Sequence, residues 1–370
     1  MKKAFPWVLS ALLAFWLAVP LPAAQADIPT LIREAVSVPS VTGNEGRLAA
    51  KIMSYLPKEA VLQDTLGSVY ARVGRGEPRV AVLAPLDEYG WFVSGVTPDG
   101  YLRLDRSSQP HPNFDSYLLG HPVVISTRKG PLYGLVAQPA MHLLTRERRE
   151  ELRSFSLDLA YVDVGARSDG EVKTRGIEFL DAVSLWPELS QLADDKWAGP
   201  SLGQKTACAL LTAAADDLAK SKPSQEIVFG WMAQTKFPAR GGGGRSALGA
   251  ARASRTLQPK KAVVIDGIPA DRGEKGPLFG GGIVVVLPKE GGQKLRESVE
   301  AIARENKITV QFPDGVESPL LNGLAGPNTE ALLLALPVKF GQTPSEVVDM
   351  KDVRALKTLL VRLLQSGRLK

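Results

Sequence analysis

Asp87, Glu88, Lys205, Thr235, Lys236 and Asp266 are the side chains here best suited to chemistry, and none has a histidine close by in sequence. The three histidines, His111, His121 and His142, sit together in one stretch, and the long segment after them has none. Asp87 and Glu88 follow the buried-looking run Val82-Leu-Ala-Pro-Leu, and Asp266 ends a second apolar run. Strand ends of this kind are where α/β proteins gather functional groups. Lys205-Thr206 and Thr235-Lys236 have the residue types of a threonine nucleophile with a lysine base, although such neighbours arise by chance in any chain. Without imidazole, a tight transition-metal site is hard to build, and three dispersed histidines do not establish one for zinc.

Arg240-Gly-Gly-Gly-Gly-Arg245 exposes four backbone donors between two cations. Such a loop can cradle a carboxylate or phosphate, or be no more than a mobile connection. It lacks the Gly-Lys-Ser/Thr ending of a P-loop. Asp194 and Asp195 begin a loop and read as solvated. The single cysteine, Cys208, lies in the small apolar run Thr206-Ala-Cys-Ala-Leu-Leu, so it reads as a packed hydrophobe and not as a nucleophile.

The opening residues predict a route of export. Lys2 and Lys3 precede an apolar stretch over 8–21, and Ala24-Gln25-Ala26 supplies the small residues of a signal-peptidase site. Cleavage after Ala26 is expected, giving a periplasmic or secreted chain of about 344 residues with no membrane insertion afterwards. The formal charge then falls from +6 to about +4, scattered and not in a tract, which argues against a nucleic-acid partner.

A chain this long calls for two domains. Helices are expected over 28–36, from a Thr42/Glu45 capping box to about residue 55, over 206–219, 246–253 and 293–305, and from about 349 onward. Val353, Leu356, Leu360 and Leu363 form one stripe on the last of these. Strands are expected over 60–73, 79–84, 226–233, 261–266, 282–287 and 308–312. Between 91 and 187 short β-rich runs are punctuated by Gly, Pro and Asp, the texture of a small barrel. The predicted fold is α/β: a mixed sheet covered by helices, over 27–90 and 188–370, with a β-barrel domain inserted over 91–187 and a signal peptide over 1–26.

At Pro85-Leu-Asp87-Glu-Tyr-Gly90 the chain resembles the M42 family of metallo-aminopeptidases, the glutamyl and deblocking aminopeptidase group, whose pattern is His-x-Asp-Glu-x-Gly. The likeness continues through Gly134-Leu-Val, Met141-His-Leu, Val162-Asp-Val-Gly-Ala-Arg-Ser168, Gly176-Ile-Glu-Phe-Leu-Asp181, Val264-Ile-Asp266, Lys275-Gly-Pro277 and Pro337-Val-Lys-Phe-Gly-Gln-Thr-Pro-Ser-Glu346. The resemblance implies a zinc-peptidase-like fold and a site of two divalent metals served by a glutamate base. Carried across, the first metal histidine falls on Pro85, the bridging aspartate on Gly203, the general base on Thr235, a ligand on Lys236 and the last histidine on Gln342. Asp266 keeps a ligand position, and Asp87 the place of the residue that steadies the missing histidine.

The resemblance therefore implies a non-catalytic homologue without cofactor. Lys236, assisted by Lys205, would fill part of the vacated metal position between Asp87 and Asp266, or Lys236 would simply face solvent. Lys205, Lys236, Arg240 and Arg245 together would make a positive pocket for a peptide, an anionic group or an envelope protein. The inserted domain implies a homo-oligomer, at least a dimer. Two alternatives stand beside this: an active periplasmic aminopeptidase with two zinc, cobalt or manganese ions, and a structural assembly subunit.

Overall fold

A computed structural model describes residues 26–369, apart from 58–60, 77–79, 109–110, 112, 138–139, 152–154, 222, 224, 238–246, 271–275, 288–291 and 325–328. Arg240, Arg245 and the expected signal segment up to residue 25 lie outside the described residues.

The chain enters through α1 (Ile28–Ser37) and α2 (Gly46–Met53). Asp27 caps α1 by accepting the Thr30 amide at 2.8 Å, and Ile28, Leu31, Ile32, Ala35 and Val36 form its buried stripe. Next come β1 (Val61–Gln63), β2 (Val69–Val73) and β3 (Val80–Pro85). The strand expected over 60–73 is thus two strands, folded back at a turn in which Asp64 accepts the amides of Leu66 and Ser68.

The chain then leaves the main sheet for β4 (Trp91–Val96), β5 (Leu102–Arg106), β6 (Pro122–Thr127) and β7 (Gly130–Ala137). After α3 (Arg146–Glu151) come β8 (Tyr161–Asp163), α4 (Asp169–Arg175) and β9 (Ala182–Leu185). These six strands close into a barrel in the order β4-β5-β8-β7-β6-β9. Its own core holds Trp91, stacked on Phe114 at 4.8 Å, with Val123, Ile125, Val136 and Val162. Closure removes the free sheet edges that an inserted unit would otherwise expose.

The return path is β10 (Ser190–Leu192), β11 (Lys196–Gly199), α5 (Leu202–Ser221), β12 (Ile227–Met232), α6 (Leu248–Leu257) and β13 (Lys261–Pro269). It ends with β14 (Ile283–Val286), α7 (Gly292–Glu305), β15 (Val310–Gln311), α8 (Pro319–Leu324), β16 (Glu330–Val338), β17 (Glu346–Asp349) and α9 (Met350–Gln365). The main sheet has eight strands in the order β1-β2-β12-β3-β13-β16-β14-β15. Pairing is parallel for β12 with β3, β3 with β13 and β13 with β16, and antiparallel where β2 meets β12 and β14 meets β16. The mixed sheet and the inserted barrel are as the sequence predicts.

β3 and β12 are buried along their whole length, as parallel strands covered on both faces must be. The larger core unites one face of the sheet with α1, α5, α7 and α9, and the smaller packs α6 and α8 on the other. Val353, Leu356, Leu360 and Leu363 are all buried on α9. Cys208 is buried on α5, and burial pushes its thiol up to about 12. It is a packing residue.

Candidate functional site

The parallel neighbours β12, β3 and β13 run in register, so their C-terminal ends release side chains at one edge of the sheet. β3 delivers Asp87 and Glu88, β12 delivers Thr235 and Lys236, and β13 carries Asp266. The fold therefore gathers the residues that the sequence picks out at three separate places.

Asp87 is 1 % exposed and its carboxylate is fully engaged. Oδ1 accepts the Thr235 hydroxyl at 2.5 Å, and Oδ2 accepts the Thr42 hydroxyl at 2.8 Å and the Lys236 amide at 3.0 Å. Next to it, the loop between α1 and α2 is stitched to the end of β3. Glu88 donates its amide to Ser40 O, Thr42 donates its amide to Glu88 O, and Glu88 Oε1 accepts the Ser40 amide at 2.7 Å. Lys205 comes up from the first turn of α5. Its Nζ donates to Val38 O at 2.8 Å and to Ser40 Oγ at 2.6 Å, and stands 3.5 Å from Glu88 Oε2. Both charges of this pair are buried, so each depends on the other.

Asp266 lies within electrostatic reach of Asp87, and Glu346 within that of Asp266. Asp266 Oδ1 accepts the amide of its neighbour Gly267 at 2.8 Å. Glu346, the first residue of β17, accepts the Gly203 amide on Oε2 at 2.9 Å and the Gln342 amide on Oε1 at 2.7 Å. Gly203 opens α5 directly against Gly267 of β13. A Cβ on Gly203 would stand 2.8 Å from Val338 Cγ2 and 3.1 Å from Gly267 Cα, and one on Gly267 would stand 2.5 Å from Gly203 Cα. Helix and strand touch backbone to backbone at the position that the resemblance assigns to a bridging aspartate. Three residues around the cluster take left-handed φ without being glycine: Ser201 at +50°, Gln234 at +53° and Gln342 at +66°. Such backbone is held only where the surroundings over-determine it.

Lys236 is half-buried, and its Nζ lies 5.1 Å from the Tyr89 ring centroid. Among the described residues it makes no ion pair within 4 Å, so it does not bridge Asp87 and Asp266 by direct contact. Its charge still matters to both. Burial pulls the ammonium pKa down, but Tyr89, Asp87, Asp266 and Glu346 outweigh that and leave it raised. The carboxylates respond in the same field. Burial pushes Asp266 up to about 6 against the pull of Lys236, and Glu346 up to about 7 against the amides of Gly203 and Gln342. Glu45 accepts the Gly43 and Gln234 amides, each at 2.9 Å, and burial with nearby Asp87 pushes it up to about 7.

These three groups bind protons more tightly folded than unfolded. Their contribution is therefore fully present below the unfolded carboxylate pKa and is lost as pH rises through about 6 to 7. The expected result is a urea midpoint that is higher at pH 5.5 than at pH 8, by on the order of 3 kcal/mol in stability. Glu45→Gln should flatten that slope; a slope of opposite sign would show that the carboxylates are ionised and compensated.

The space left among Glu88, Tyr89, Phe114, Pro200, Gln342 and Glu346 is about 20 Å³, room for one water and not for an amino-acid side chain. Among the described residues no group of three or more His, Cys, Asp or Glu side chains is placed to hold a metal ion.

The structure thus brings together Asp87, Thr235, Lys236, Asp266, Gly203 and Gln342, while Pro85 ends β3 just before them. It gives Lys205 to Glu88 and not to Lys236. Four further residues enter the site, Thr42, Glu45, Glu346 and His111, which the sequence named without placing them there. The Thr42/Glu45 capping box does not form: α2 starts at Gly46, Thr42 turns to Asp87, and Glu45 turns to the Gly43 and Gln234 amides. Glu346 carried a signal, since it closes the quoted motif from Pro337. His111 had none: it reaches over from the barrel to place Nε2 3.3 Å from Gln342 O, packed against Phe114 and Tyr117.

A buried polar cluster at the C-terminal edge of a mixed sheet, beside an inserted closed barrel, is the architecture of a zinc-peptidase-like protein. The family model of the M42 glutamyl aminopeptidases matches residues 67–359, and the chain belongs to that family. It is 25% identical over 345 residues to the putative aminopeptidase FrvX of Escherichia coli, covering 89% of this chain and 93% of that one. With the lysyl aminopeptidase of Pyrococcus furiosus it shares 25% identity over 348 residues, covering 90% and 96%. The fold also matches the Pyrococcus horikoshii TET1 peptidase, which can assemble into a tetrahedron or a large octahedral shell, with a TM-score of 0.79, 21% identity and coverage of 91% and 99%.

Proposed function

We propose that this protein is an exported, catalytically inactive homologue of the dinuclear metallo-aminopeptidases, which has exchanged the metal centre for a hydrogen-bonded polar core and acts by binding. The contact between Gly203 and Gly267 carries the reading. Where a bridging carboxylate would stand, two glycines let α5 and β13 touch, and no side chain fits between them. The remaining donors do not suit two divalent ions. Asp87 is occupied by Thr42, Thr235 and the Lys236 amide, Glu346 by two amides, and a ligand position carries the ammonium of Lys236. The general-base position is Thr235, whose hydroxyl is spent on Asp87. Chelation of a divalent ion needs several free, converging oxygen or nitrogen donors.

Export rests on the N-terminal pattern ending in Ala24-Gln25-Ala26. A homo-oligomer, at least a dimer, is proposed from the shells that the TET1 relative builds. Binding of a peptide or envelope protein would take place outside the old pocket, which has room for one water only, and Lys205 is held there by Glu88.

The deciding experiment is incubation of the purified protein with zinc, cobalt or manganese, removal of free ions and measurement of metal per chain. Less than about one tenth of an equivalent is expected. Close to two equivalents, with release of N-terminal residues from peptides, would overturn the proposal in favour of an active aminopeptidase.

A further inference from the structure

Away from the strand-end cluster, a groove of about 510 Å³ runs between the α1–α2 corner and the outer wall of the barrel. That volume is in the range of ligand-binding clefts. Its floor is apolar, from Val38, Pro39, Val124 and Pro187, and one wall is formed by Pro131 and Tyr133 of β7. The wall does not stop at the groove. Along β7 the outward positions are Pro131, Tyr133, Leu135 and Ala137, all exposed, with Tyr133 at 61% and Leu135 at 47%. The outer face of a barrel strand in contact with water is ordinarily polar. Here it presents an apolar stripe of about 20 Å, at roughly 3.3 Å per residue. The exposed Trp186 ring leans on Tyr133 with centroids 4.9 Å apart at 50° and extends the surface sideways. Contiguous exposed apolar surface of this kind marks an interaction site.

The charge of the groove says what kind of partner fits. Its lining holds two cations, Arg47 and Lys51, and no carboxylate. Lys51 is already paired with Glu34 at 3.1 Å. Arg47 is not: one of its terminal nitrogens donates to Thr127 O at 2.6 Å, which fixes the guanidinium at the rim. Among the described residues no carboxylate stands within ion-pair distance of it. Asp181 is within electrostatic reach of Arg47 but makes no direct ion pair with it. A fixed, exposed guanidinium with no direct ion pair, beside an apolar floor, is suited to a carboxylate carried on an apolar chain.

We infer that this groove binds an extended peptide segment of another protein, in which an aspartate or glutamate neighbours proline, leucine or an aromatic residue. The carboxylate meets Arg47, and the apolar residues cover Tyr133 and Trp186. The groove is open and borders the exposed apolar stripe of β7, which favours a chain lying across the surface over an enclosed small molecule. A second copy docked here on itself would bring two Arg47-bearing rims together with no counter-charge from the groove. This site is independent of whether the strand-end cluster is catalytic.

The test is selection of a display library of randomised octapeptides against the purified protein, followed by affinity measurement on the synthetic form of the strongest sequence. Enriched sequences should place Asp or Glu within two positions of Pro, Leu or an aromatic residue. Exchanging that acid for its amide, or making Arg47→Gln, should weaken binding about fivefold, and Tyr133→Ser about tenfold, with the thermal midpoint unchanged. No enrichment, enrichment of acid-free sequences, or indifference to both substitutions would overturn the proposal. So would sedimentation showing a dimer that Tyr133→Ser dissociates, because the groove would then belong to a second copy.

Discussion

Lys205→Met should lower the stability of the protein by about 3–5 kcal/mol, measured as the shift of a urea unfolding curve. Lys205 is 2% exposed, and the Glu88 carboxylate facing it is nearly as well buried. Removing the ammonium leaves Glu88 as an uncompensated buried charge and orphans the acceptors Val38 O and Ser40 Oγ. Methionine fills much of the volume, so the loss reads the charge and its hydrogen bonds and not a cavity. Exchanging both partners, Lys205→Met with Glu88→Gln, should recover a large part of the loss, because the pair is costly to break but less costly to omit. A single-variant loss under about 1 kcal/mol would mean that water reaches Glu88 and that the corner is looser than the 38–42 stitching implies.

The second large effect concerns Gly203. Gly203→Asp, the substitution that would restore a bridging carboxylate, should cost about 4 kcal/mol or more and should not by itself bring metal binding. Overpacking against Val338 and Gly267 accounts for about 1–3 kcal/mol of this. The rest comes from a new buried negative charge beside Asp266 and Glu346, which already hold their protons more tightly than usual. Gly203→Ala isolates the first part and should cost about 1–3 kcal/mol in the same denaturation measurement. If the aspartate variant is as stable as the parent, α5 can move off β13 and the glycine contact is not what closes the site.

Much of the architecture was legible from pattern alone. Asp27 and Asp349 stand before apolar stripes and do cap α1 and α9. The switch from helix-and-strand alternation to short strand runs after Gly90 does mark the barrel. What escaped had physical reasons. β16 is a central strand, but Ala331-Leu-Leu-Leu-Ala-Leu-Pro337 is buried on both faces and has no alternation, and its proline argues against a sheet interior. The structure places Pro337 beyond the last β14 partner, at Ala335. In the candidate site, Asp87 and Asp266 were readable because each closes an apolar run, although β13 continues past Asp266 to Pro269. The partners of Asp87 were not. Thr42 and Glu45 have the spacing of a helix cap, and only the fold reveals that both side chains turn away from α2. Nor could sequence show that Lys205, two residues from the β13 contact at Gly203 on α5, would be taken by Glu88.

The glycine contact between α5 and β13 also works as a ratchet on what the chain can become. Any side chain at position 203 has to push helix and strand apart, because a Cβ there already meets Val338 and Gly267. With glycine at both positions the gap is closed, and that close packing is part of what keeps the protein folded. An acidic residue therefore cannot be introduced here one substitution at a time: the first step separates two packed elements before any ligand is in place to reward it.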